Sequence, residues 1–121
     1  YTVKIIYWGD KINMLSIFYD YHDFKMVIRT DKDFLIFDQK DKKLGMDKFF
    51  KQNSKPIDIK FISANQLVIA EKFKGYIYNF QKNKYDEIHK SSLPIVSILQ
   101  TNKRNQCAFL EDSGKITVYN I

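Results

Sequence analysis

Acid–base, nucleophilic or metal chemistry in this 121-residue chain would rest on two histidines, one cysteine and fourteen acids. His89 is of a type suited to metal ligation or general-base work. No second His stands at ligand spacing from it, so a structural hydrogen bond is its expected role. His22 lies between Asp20 and Asp23 in a polar stretch and is read as a solvated turn residue. Cys107 opens the apolar run Cys107-Ala108-Phe109-Leu110, where it serves as a small buried apolar side chain. A nucleophilic thiol would need an accessible, electropositive setting. The acid pairs in Asp31-Lys32-Asp33 and Glu111-Asp112 lack the further spaced oxygen ligands of a calcium loop and are read as turns. Gly9, Gly45, Gly75 and Gly114 stand singly, so no phosphate-cradling loop is written here, nor is there a serine elbow. The reading is a chain that is not an enzyme, with no catalytic, cofactor-binding or metal-binding residue and no cofactor.

Charge points to a second kind of chemistry. The net charge of +6 comes from 18 Lys and only Arg29 and Arg104, against 11 Asp and 3 Glu. Lysine is a strongly hydrated point charge, whereas phosphate recognition favours the bidentate arginine fork. Possible anion contacts are Lys40, Lys42 and Lys43, in the run Lys40-Asp41-Lys42-Lys43, together with Lys72 and Lys74 around Phe73. Alternating with acids and aromatics on turns, they read first as solvated surface. Contact with nucleic acid or an anionic membrane is the alternative.

Hydrophobic residues make up 45% of the chain and aromatic residues 16%, enough apolar surface to offset the entropy of ordering. With 4 Gly and 2 Pro there is no low-complexity linker. A lone cysteine fits a reducing, intracellular compartment, cytoplasmic or nuclear. No apolar run approaches the roughly 18 residues of a membrane span. The opening Tyr1-Thr2-Val3-Lys4-Ile5-Ile6-Tyr7-Trp8 reads as a strand rather than a signal peptide, and the chain is expected to be a piece of something longer.

What must position these residues is a repeat. Phe34-Leu35-Ile36-Phe37-Asp38, Gly75-Tyr76-Ile77-Tyr78-Asn79 and Lys115-Ile116-Thr117-Val118-Tyr119-Asn120 end alike, with aromatics at 37, 78 and 119, intervals of 41 and 41. Upstream of each lie Met26-Val27-Ile28, Leu67-Val68-Ile69 and Cys107-Ala108-Phe109-Leu110. Further upstream lie Met14-Leu15-Ser16-Ile17-Phe18, Ile57-Asp58-Ile59-Lys60-Phe61 and Ile95-Val96-Ser97-Ile98-Leu99. Short runs rich in Ile, Val, Phe and Tyr between polar turn residues are strands. In the second repeat Ile57, Ile59 and Phe61 alternate with Asp58 and Lys60, which predicts one buried and one wet sheet face.

Fourth strands are expected at Lys48-Phe49-Phe50-Lys51, with Leu44-Gly45-Met46 in it or its loop, and at Lys84-Tyr85-Asp86-Glu87-Ile88. The third repeat ends without one. The predicted fold class is therefore all-β: a β-propeller fragment of three four-stranded antiparallel blades with a repeat of about 41 residues. As a single domain over 1–121, it comprises an orphan strand at 1–8 and repeats at about 12–51, 54–89 and 93–121. Ile17, Val27, Ile36, Ile59, Val68, Ile77, Ile98, Phe109 and Val118 are predicted to form one stacked core.

These residues resemble the WD-repeat family in degenerate form. Phe37-Asp38, Tyr78-Asn79 and Tyr119-Asn120 are similar to the family's Trp-Asp pair that ends a third strand. Asp31 stands six residues before Phe37, as the family's turn Asp does, while Glu71 and Asp112 stand seven before Tyr78 and Tyr119. His89, six residues ahead of Ile95, resembles the His of the family's Gly-His pair, with Ile88 in place of the Gly. The resemblance implies structural roles for all of these, with a hydrogen bond from His89 to Asp112. It also implies a non-enzymatic protein-interaction scaffold in a large intracellular assembly. Its partners would be other protein subunits and further blades, from the same chain or another, with a homodimer as the lesser version.

Overall fold

The computed structural model describes residues 2, 3, 5, 8–20, 23–31, 34–37, 43–44 and 56–121. Among them the chain is all-β, with eleven strands and no helix. The first sheet holds β1 (Met14–Asp20), β2 (Asp23–Arg29), β3 (Phe34–Phe37) and β4 (Lys43–Leu44) in sequence order. The second holds β5 (Asp58–Ser63), β6 (Gln66–Ala70), β7 (Lys74–Asn79) and β8 (Lys84–Lys90), again in order. The third holds β9 (Ile95–Gln100), β10 (Gln106–Glu111) and β11 (Ile116–Asn120) and has three strands, not four. Every pairing is antiparallel.

The fourth strand of the first sheet falls at Lys43–Leu44, pairing Ile36 with Leu44. The stretch 48–51 lies outside the described residues, as do Asp38, Lys40, Lys42 and His22. Thr2, Val3, Ile5 and Trp8 belong to no strand, and the other residues of the expected orphan strand lie outside the described residues. A lone extended segment becomes a strand only when a ladder satisfies its backbone groups.

Local chemistry closes the hairpins. Asn79 Oδ1 accepts the amides of Gln81 and Lys82 at 3.0 and 3.1 Å, an Asx-type turn that starts the return into β8. Asn83 and Asn105 take positive φ of 48° and 55°, a conformation asparagine tolerates better than most residues. Gly114 takes φ 88° in the turn between β10 and β11.

The sheets stack face to face, and the core is two layers rather than one. Val27 and Ile36 of the first sheet meet Ile59, Phe61, Leu67, Ile69, Tyr76 and Tyr78 of the second. The opposite face of the second sheet sets Val68, Ala70 and Ile77 against Ile95, Ile98, Cys107 and Phe109 of the third. Being covered on both sides, β6 buries all of Leu67-Val68-Ile69-Ala70, so the single wet face predicted from β5 does not extend to its neighbours.

Seven of the nine predicted core residues are buried; Ile17 and Val118 are 53% and 52% exposed. The reason is stacking order. In β1, Met14 and Phe18 pack toward the second sheet, and alternation turns Leu15, Ile17 and Tyr19 the other way. In β11, Tyr119 packs toward the second sheet and Val118 turns away from it. Both residues sit on the outer faces of the stack.

Candidate interaction surfaces

His89 ends up at the junction of the second and third sheets, buried to 6% exposure. Its ring stacks on Phe109 with centroids 4.9 Å apart and planes 7° apart. Nδ1 lies 2.7 Å from the Tyr119 hydroxyl. Nε2 lies 3.3 Å from Glu111 Oε1, within ion-pair range but outside hydrogen-bond geometry. The acidic partner is thus Glu111, not Asp112: one step past the end of β10 separates a buried carboxylate from an exposed one. Asp112 instead donates its amide to Pro94 O at 2.8 Å. Surrounded by protein and locked to Tyr119, His89 is placed to join sheets.

The remaining candidates are local fasteners. Asp31 accepts from the Asn13 side chain at 2.6 Å and ties the approach to β1 onto the end of β2. Glu71 is buried, its amide donating to Lys74 O at 2.8 Å, and its carboxylate receives the Tyr76 hydroxyl. Burial first, and then that bond, holds the Tyr76 phenol protonated well above its usual range. Tyr78 donates to Asn83 Oδ1 at 3.2 Å, and Asn120 Oδ1 accepts from Gln106 at 2.8 Å. Phe37 is half-buried, opposite Met26. Cys107 is fully buried, and desolvation pushes its thiol up to about 11. That is the reverse of what a nucleophile requires.

The described lysines among the expected anion contacts have neighbours of their own. Lys74 is 3.3 Å from Glu87, and Lys72 lies over the Phe73 ring at 5.4 Å. Lys43 pairs through its backbone with Phe37. Among the described residues no three or more His, Cys, Asp or Glu side chains gather to hold a metal, and no helix is long and apolar enough to cross a membrane.

Three contacts between sheets escape a reading by spacing. Asp58 at the start of β5 accepts the Ile98 amide of β9 at 2.8 Å. Ser16 of β1 accepts the Phe61 amide of β5 at 3.2 Å. Lys25, almost fully buried, donates to Ala64 O at 2.5 Å and lies 5.2 Å from the Phe80 ring centroid. Beside it opens a cleft of about 280 Å³ lined by Phe18, Ser63, Ala64, Asn65, Arg104 and Asn105. Only their contacts across the sheets single these residues out, and a pattern that marks Asp, Ser and Lys as turn and surface types does not show such contacts.

What the stack leaves open is apolar. Leu15, Ile17 and Tyr19 are 50%, 53% and 76% exposed on the outer face of the first sheet. Val96, Ile116 and Val118 are 51%, 55% and 52% exposed on the outer face of the third. On the same face of the first sheet Met26 and Ile28, paired with Ile17 and Leu15, are buried at 7% and 0% exposure, so the open apolar surface there is confined to β1. No protein-family model and no curated protein matches the chain.

Proposed function

We propose that the chain is a run of WD-repeat-like propeller blades serving as a non-enzymatic scaffold for protein partners within a large intracellular assembly. The observation that carries this reading is the exposure of two sets of apolar side chains at the two ends of the described stack, Leu15-Ile17-Tyr19 and Val96-Ile116-Val118. Exposing β-branched and aromatic side chains to water is unfavourable by about 25 cal/mol per Å² of apolar surface, and a docked protein surface removes that term.

The strand order supports the blade reading. Strands follow one another across each sheet, and the first strand of each lies beside the first strand of the next, β1 by β5 and β5 by β9. The His89–Tyr119 contact supports the resemblance at the third repeat, where the aromatic of Tyr119-Asn120 meets the family-like histidine. Further blades, from this polypeptide or a partner, are the surfaces such faces suit.

Affinity capture from native lysate tests the proposal, comparing wild type with Ile17→Asp and Val118→Asp. A stoichiometric protein partner lost from at least one variant is expected. Capture of nothing by the wild type counts against a scaffold. Retention on heparin that falls steeply with salt would favour the polyanion alternative instead.

A further inference from the structure

The strands of the second and third sheets end in turns of two unlike kinds. At one end, the turns at 63–66, 80–83 and 101–105 expose no large apolar side chain. At the other, Phe73 in the β6–β7 turn and Leu93 between β8 and β9 are 44% and 45% exposed, and Ile57 ahead of β5 is exposed at the same end. Backbone bonds lace these loops together. Ser91 donates its amide to Phe73 O at 2.9 Å, Ile95 to Lys72 O at 2.7 Å, and Asp112 to Pro94 O at 2.8 Å. The apolar tips are thus carried on neighbouring loops of one ledge. Charge on this ledge is sorted by depth. Glu71 and Glu111 are buried, and Asp58 is taken up by the amides of Ile59 and Ile98. Lys72, Lys74, Lys90 and Lys115 are exposed, against Glu87 and Asp112. Glu87 lies 3.3 Å from Lys74 and 3.8 Å from Lys90, while Lys72 lies over the Phe73 ring.

We infer that this end of the second and third sheets docks on an anionic lipid surface, Phe73 and Leu93 entering the headgroup layer and the lysines facing the lipid charges. Apolar tips flanked by lysine are the two signals that peripheral membrane contact combines, and either alone binds weakly. A polyanion in water such as nucleic acid would engage the lysines and leave Leu93 hydrated. A lipid interface takes up both, because its charged headgroups overlie apolar chains and it needs no pocket of matching shape. Burial of Glu71 and Glu111 favours such contact, since an exposed carboxylate on the ledge would be repelled by the same surface. The ledge is separate from the outer sheet faces and needs no protein partner there.

Flotation of the 121-residue chain with vesicles tests this, using phosphatidylcholine alone and phosphatidylcholine mixed with phosphatidylserine. Wild type is expected to float with the phosphatidylserine vesicles only, and less at high salt, which screens the lysines. Lys72→Gln is expected to weaken partitioning about fivefold, the equivalent of the ~1 kcal/mol that a basic residue contributes near an anionic surface. Phe73→Ser combined with Leu93→Ser is expected to weaken it about tenfold or more, by removing the apolar contact. Lys82→Gln, at the opposite end, is expected to bind as wild type does. All these positions are exposed, so circular dichroism unchanged from wild type verifies folding. A wild type that floats with neither vesicle overturns the inference. So does binding that survives the Phe73→Ser, Leu93→Ser double variant, which would assign the lysines to polyanions in general. A loss in Lys82→Gln equal to that in Lys72→Gln overturns it as well, because net charge rather than this ledge would then be responsible.

Discussion

The Nδ1 atom of His89 lies 2.7 Å from the hydroxyl of Tyr119, across the junction of the second and third sheets. With Glu111 beside Nε2 and Phe109 beneath the ring, the imidazole is fixed on three sides. Tyr119→Phe removes one hydroxyl and leaves a buried ring nitrogen unpaired, an expected loss of about 1–3 kcal/mol. Glu111→Gln is expected to cost a comparable amount, while exposed Asp112→Asn should stay within about 0.5 kcal/mol of wild type. Denaturant midpoints rank the three; equal effects at 111 and 112 would refute the assignment of Glu111.

Gly75 stands opposite His89 in the ladder, and a Cβ there would lie 2.4 Å from Phe109 Cζ and 2.7 Å from its Cε1. Phe109 is itself fully buried, so its ring has nowhere to retreat. Gly75→Ala is therefore expected to lose about 1–3 kcal/mol through overpacking. Gly114→Ala meets no atom within 4 Å and suffers only from its positive φ, about 1 kcal/mol. Thermal unfolding of the two variants separates crowding from backbone strain.

Asp58 bridges sheets through its two oxygens, one accepting the Ile59 amide at 3.0 Å and the other the Ile98 amide at 2.8 Å. Asp58→Ala strands both donors and is expected to cost about 1–3 kcal/mol for each amide that remains buried. Asp58→Asn keeps one acceptor oxygen and should retain part of the stability. Faster exchange of the Ile98 amide proton in Asp58→Ala, seen by NMR, is the specific readout.

Stability should decline in alkali. The Cys107 thiol keeps its proton up to about pH 11 when folded and releases it near its ordinary 9.0 when unfolded. Above pH 9 the folded state thus binds more protons than the unfolded state, and stability falls with rising pH until about 11. Two pH units correspond to on the order of 2–3 kcal/mol. Burial also raises Tyr76, Tyr78 and Tyr119, adding to the decline above pH 10. Cys107→Ala should flatten the slope between pH 9 and 11, measured by urea unfolding across that range.

Strand content was legible in the residues themselves. Runs of Ile, Val, Phe and Tyr bounded by Asp, Asn and Gly specify short strands and tight turns through local sterics and side-chain hydrogen bonds, which need no tertiary context. The ladders Val27 with Ile36 and Val68 with Ile77 follow from that pattern, as does the burial of both pairs. Order of stacking did not. Val118 holds the same place in its sheet as Ile77 does, and Ile77 is 6% exposed where Val118 is 52% exposed, because the third sheet covers one and no sheet among the described residues covers the other. Likewise Glu111 and Asp112 are adjacent acids at the end of one strand, and period-two alternation together with the register shift at Leu110/Glu111 decides which reaches His89. Side-chain type and spacing determined which elements form; which faces are covered, and which acid meets the imidazole, depended on distant segments meeting in space.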